Sequence, residues 1–191
     1  MKHITSKIQF NSTINLDFPF EKYCNLIIAV IPKEDIVGIT EIRFVESFSH
    51  KKSQKNALAY YIPGQKGGKA AIEINITNLS KQQIPLYLYN FYPEIAALLL
   101  SEYIGHELGH HIHTFKRHGI KKYSREKFSD QYAKAVYFHY LKSRTSQILA
   151  SYRRASWNIL RFDKKARKTF SLGHKELIEW LEENKAEISF P

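Results

Sequence analysis

The pattern of apolar and polar positions divides the chain near Pro93. Before it, residues 39–45 (Ile-Thr-Glu-Ile-Arg-Phe-Val), 57–62 and 70–77 are short, rich in β-branched and aromatic residues, and alternate well enough to predict strands. The last two flank Pro63-Gly64-Gln65-Lys66-Gly67-Gly68-Lys69, whose turn chemistry predicts a hairpin or meander. Upstream, Ile4, Ile8, Phe10, Ile14, Leu16 and Phe18 alternate weakly, as a strand or an extended arm would. Residues 20–30, bracketed by Pro19 and Pro32, predict a helix, and polar residues 51–56 a loop.

After Pro93 the period changes. Ile95, Leu98, Leu99, Tyr103, Ile104, Leu108, Ile112 and Phe115 recur three and four apart, which predicts one long helix over 94–115 with Pro93 at its start. His118-Gly119 breaks it. Ser124 is placed to cap a second helix reaching about residue 143 or beyond, and 145–170 and 174–185 read as two more. No repeat, low-complexity tract or linker interrupts the series. The expectation is one α+β domain over 1–191: residues 1–92 mainly a small, mostly antiparallel sheet with one helix, and residues 93–191 helical.

Composition narrows the chemistry. With 43% hydrophobic and 14% aromatic residues the chain can build a sizeable core. Its single cysteine, Cys24, excludes an internal disulfide and any zinc site of the CxxC type, so a metal would have to be held by histidine and carboxylate. Residues 1–10 mix Lys2, His3, Lys7 and Gln9 with isolated apolar positions, unlike a secretory leader. The longest apolar stretches, 26–31 and 95–100, fall short of the ~18 residues of a membrane span. A soluble, cytoplasmic protein with no membrane association is expected.

The net charge of +11 is uneven: residues 116–168 hold sixteen Lys or Arg against three acids, whereas the tail from Ser171 holds five Glu against two Lys. A basic stretch of this kind suits nucleic acid, an acidic partner, or a solvated helical face. No aromatic-basic RNA motif or DNA-reading module accompanies it.

The long helix carries His106-Glu107-Leu108-Gly109-His110, an HExxH motif. Residues four apart share a helix face, so His106 and His110 can direct imidazole nitrogens at one ion. Glu107, about 100° round, can reach a water beside that ion without being a third ligand. Two imidazoles, an open position and an adjacent carboxylate base are what a zinc hydrolase requires. Gly109 costs about 1 kcal/mol in a helix interior relative to alanine, which implies that another element approaches closely there; Gly105 fits the same crowding.

Several side chains are candidates for the third ligand. His113 continues the motif face, but three ligands in line on one straight helix cannot surround an ion; His118 would need the chain to fold back at once. Glu126 and Asp130, four apart in Glu126-Lys127-Phe128-Ser129-Asp130-Gln131-Tyr132-Ala133, share a face of the next helix. Glu126 can reach the metal, and Asp130 can accept the second ring N–H of a ligand histidine, fixing its tautomer. A register with Asp130 as the ligand is the alternative. Tyr103, Tyr123 and His139 are candidates to stabilise an oxyanion, and His111 and His113 read as solvated or packing residues.

HELGH followed by a helix bearing Glu-x-x-Ser-Asp-x-Tyr-Ala resembles the gluzincin metallopeptidases, thermolysin-like enzymes and compact ImmA/IrrE-type domains among them. The resemblance covers roughly residues 36–140 in outline and two short blocks in detail. It implies a zincin-like fold and a zinc metallopeptidase acting on a protein or peptide substrate, with His106, His110 and Glu126 as zinc ligands. Glu107 would be the general base and Asp130 the supporting carboxylate. It also implies an edge strand beside the motif helix that pairs with substrate, for which residues 72–77 are the expected segment. The spacing from His110 to Glu126 is short for the thermolysin-like members. SprT-like enzymes, proteases recruited to DNA, use a third histidine, and the downstream histidines here are poorly spaced for that. The other readings are a basic nucleic-acid-associated protein with a structural or vestigial metal site, and a pure interaction protein.

Overall fold

A computed structural model describes residues 8–13, 18–48, 56–64, 69–82, 91–116, 122–159, 175, 179 and 189–191. Pro19 and Pro32 bracket helix α1 (Phe20–Ile28), which buries Tyr23, Cys24 and Ile27. A short 3-10 turn (Lys33–Asp35) and Gly38, at φ 94°, then lead into strand β2 (Ile39–Val45). Glycine takes that positive φ without a Cβ clash.

The sheet has four strands in the order β1-β2-β4-β3, where β1 is Gln9–Ser12, β3 Ala59–Ile62 and β4 Ala70–Asn75. β1 and β4 both run parallel to β2, and β3 alone is antiparallel, paired with β4 as the expected hairpin. The sheet is therefore mixed, not mostly antiparallel. Alternation identifies a strand but carries no direction, which depends here on the crossover from β2 to β4.

A second correction concerns the edge. β4, the expected substrate-pairing strand, is interior: it has a partner on each side and is buried along its whole length. The edge beside the motif helix is β3. Residues 76 and 77 begin helix α2 (Ile76–Gln82) instead of extending β4. The Asn75 side-chain oxygen accepts the N–H of Asn78 at 2.8 Å, a helix cap that ends the strand there.

Helices α3 (Pro93–Lys116) and α4 (Lys122–Ile159) make up most of the described part of the second half. The helix expected to begin at residue 145 continues α4 across one non-helical residue, Arg144 (φ −124°, ψ 15°). Residues 160–170 of that expectation lie outside the described residues. So does most of 174–185, of which Lys175 and Glu179 are helical and form an i,i+4 ion pair at 3.4 Å. The expected loop at 51–55 and turn at 65–68 also lie outside them.

One core joins the halves: Ile42, Phe44, Ile72 and Ile74 of the sheet pack with Leu98, Ile104 and Leu108 of α3 and Tyr132, Val136 and Tyr140 of α4. Polar contacts also fix the helices to the sheet half. The Tyr132 hydroxyl donates to Asp35 at 2.8 Å. His111 bridges Val37 and Tyr61: its Nε2 donates to the Val37 carbonyl at 2.9 Å, so its Nδ1 accepts from the Tyr61 hydroxyl at 3.0 Å. Among the described residues, no helix is long and apolar enough to cross a membrane.

Candidate metal centre

Two glycines set the spacing of α3 and α4. A Cβ on Gly109 would lie 2.5 Å from the Ser129 Cα, and one on Gly105 2.9 Å from the Ala133 Cα. Both obstacles are backbone, so a side chain at either position would push the helices apart. The close antiparallel approach carries the first turns of α4 over His106 and His110.

The result is a cluster of His106, His110 and Glu126, whose donor atoms all lie within 4.8 Å of one another. Glu126 Oε2 is 3.7 Å from His106 Nε2 and 3.6 Å from His110 Nε2. Donor atoms on a tetrahedral zinc with bonds of ~2.0–2.2 Å sit about 3.3–3.6 Å apart. The separations are thus close to those of a common ion, and two imidazoles with one carboxylate are a donor set that zinc accepts.

The remaining ring nitrogens are held as well. His106 Nδ1 lies 3.1 Å from Asp130 Oδ1, and His110 Nδ1 lies 3.0 Å from Ser129 Oγ and 3.2 Å from Arg125 Nε. Glu126 therefore stands at the shared nitrogens, while Asp130 stands behind His106. Burial, with His106, Arg125 and His113 nearby, pulls the His110 pKa down to about 3. Its imidazole is neutral at physiological pH, the form that can coordinate.

Glu107 lies one residue away, buried against the strand wall. Burial pushes its carboxyl up to about 7; the Tyr61 backbone N–H, donated to the carboxylate, opposes the shift, and Glu126 adds to it. Beside it opens a cleft of about 430 Å³. Leu58 and Ala59 form one wall, Glu102, Tyr103, His106 and Glu107 the floor, and Asp130, Ala133 and Lys134 the other wall.

The other candidates fall elsewhere. His111 is a buried packing residue, as described above, and His113 is buried facing Phe128, with ring centroids 6.0 Å apart. Tyr103 lines the cleft, and burial, with Glu102 adding, raises its hydroxyl to about 12, so it can donate a hydrogen bond. His139 stacks on Phe190 at 4.8 Å. His118 and the side chain of Tyr123 lie outside the described residues. Of the basic stretch, α4 exposes Lys127, Lys134, Lys142, Arg153 and Arg154.

Three contributors escape sequence reading: Ser129, Arg125 and the Tyr61 backbone. Ser129 stands three residues after Glu126, but only the phase of α4 against α3 reveals its partner. No protein-family model, curated protein or solved structure matches the chain.

Proposed function

We propose that the chain is a zinc-dependent metallopeptidase with a zincin-like fold of compact gluzincin type. His106, His110 and Glu126 would hold the ion, Glu107 would act as general base, and Asp130 would orient His106. The observation that carries this reading is the arrangement at one point of two helices. Three donors converge, the outer nitrogens of both histidines have partners, and a buried carboxylate stands beside them at the head of a cleft.

When bound, zinc supplies Lewis acidity, lowering the pKa of a water and polarising a carbonyl. The residues do the remainder. Glu107 takes the water's proton and hands it to the departing amine, as a carboxylate beside the cluster and within the cleft is placed to do. Asp130 accepts the His106 Nδ1–H, leaving the Nε2 lone pair directed at the cluster.

Strand β3 supplies the surface for substrate. The Leu58 carbonyl turns inward, accepting the Asn75 N–H at 2.8 Å. By strand alternation the N–H and C=O of Ala59 then turn outward, into the cleft. An extended peptide can pair there with its scissile bond over Glu107.

The test is Glu107→Gln in zinc-loaded protein, assayed on a diverse peptide library. The variant is expected to keep wild-type zinc content and lose about 10²–10⁴-fold in cleavage rate, the span of general acid–base catalysis. Zinc-loaded wild type that cleaves nothing, or a variant as active as wild type, would contradict the proposal.

A further inference from the structure

The two motif histidines are held differently. His106 Nδ1 faces the Asp130 carboxylate at 3.1 Å. A carboxylate only accepts, so the His106 proton belongs on Nδ1 and the Nε2 lone pair is available. His110 Nδ1 instead meets two groups, Arg125 Nε at 3.2 Å and Ser129 Oγ at 3.0 Å.

Only one of those two groups fixes the tautomer. A guanidinium only donates, so the bond from Arg125 requires a lone pair on His110 Nδ1 and leaves the single proton of the neutral ring on Nε2. Nε2 is the atom 3.6 Å from Glu126 Oε2, on the side where the ligand atoms gather. A protonated Nε2 cannot ligate. The serine hydroxyl can donate or accept, so Ser129 serves either tautomer.

We propose that Arg125 is a latch on metal loading, a positioning residue that holds His110 in the tautomer unable to ligate through Nε2. The proposal rests on the metal-centre reading above. Loading moves the ring proton from Nε2 to Nδ1 by exchange with solvent, with no net proton gained or lost. Arg125 must then leave, and Ser129 turns to accept the new Nδ1–H. His106 is preset for the ion and His110 is switched, so occupancy of the site is gated by one arginine rotamer.

The test compares metal-free wild type with Arg125→Met, Arg125→Lys and Ser129→Ala. Long-range ¹⁵N–¹H NMR reads the His110 tautomer, and stopped-flow mixing and chelator competition read zinc uptake and affinity. Wild type is expected to carry the His110 proton on Nε2, and Arg125→Met to carry it on Nδ1. Arg125→Met should take up zinc about tenfold faster, and Ser129→Ala should bind it about tenfold more weakly, at the low end of the cost of losing a supporting partner.

Arg125→Lys keeps the charge without the planar Nε–H. It should follow Arg125→Met in tautomer and uptake; wild-type behaviour in this variant would mean that charge alone acts, and would overturn the latch. Zinc binding with an unchanged His110 tautomer in Arg125→Met overturns this proposal alone. A chain that binds no zinc in any variant overturns the metal-centre reading, and the latch with it.

Discussion

The two walls of the cleft are held by different forces. On the helix wall α3 and α4 meet backbone to backbone, with Gly105 and Gly109 against Ala133 and Ser129 and no room for a single added carbon. The ligand cluster and the partners of both outer ring nitrogens, Ser129, Asp130 and Arg125, arise from that contact. On the strand wall β3 meets α3 through polar bonds, Tyr61 to His111 and the Tyr61 N–H to Glu107. The proposed metal site thus rests on steric fit between helices, and the proposed base on burial against a strand. The two should fail separately.

The largest break is on the helix wall. Gly109→Val drives a branched side chain into the Ser129 backbone. Overpacking of this kind costs about 1–3 kcal/mol and occasionally more, and here it also moves Ser129 and Glu126 away from the histidines. The variant is expected to melt well below wild type and to lose zinc affinity by more than tenfold, read by calorimetry and chelator competition. Unchanged affinity would mean that the helix spacing does not build the site.

This wall was also the more legible one. The HExxH spacing, the Glu126/Asp130 face and the cost of Gly109 in a helix can each be read from short stretches, because a single helix fixes which residues share a face. The strand wall was not legible. Which strand lies at the edge depends on how β2 reaches β4, and residues 70–77 alternate well whether they are central or exposed. Asn75, as the cap of α2, was the local signal that β4 stops before Ile76. The link from Tyr61 to His111 spans fifty residues, and no local pattern encodes it.

On the strand wall the expected effect depends on pH. The folded-state pKa of Glu107, about 7, is above its ordinary 4.5. Its contribution to stability is therefore fully present below about 4.5 and is lost as pH rises through 7. Glu107→Gln has no such loss. In metal-free protein, melted in chelator, the variant is expected to gain on wild type between pH 5 and pH 8, by roughly 3 kcal/mol at most. A pH-independent difference would show that the carboxyl is not held in the buried, proton-favouring environment described.

The smallest break is Tyr61→Phe. Removing the hydroxyl leaves buried His111 Nδ1 without that donor, at a cost of about 1–3 kcal/mol in stability. Zinc affinity should stay within about twofold of wild type, because no ligand belongs to that wall. A large loss of zinc in this variant would erase the distinction between the walls.

The central claim is that His106, His110 and Glu126 hold one metal ion. Metal analysis of wild type beside Glu126→Ala and Asp130→Ala tests it most directly. Wild type is expected to hold one zinc per chain, and Glu126→Ala to retain none after dialysis. Asp130→Ala should keep one zinc, bound about 10–100-fold more weakly. Wild type without zinc, or Glu126→Ala that holds it as tightly as wild type, would show that these three residues do not hold the ion.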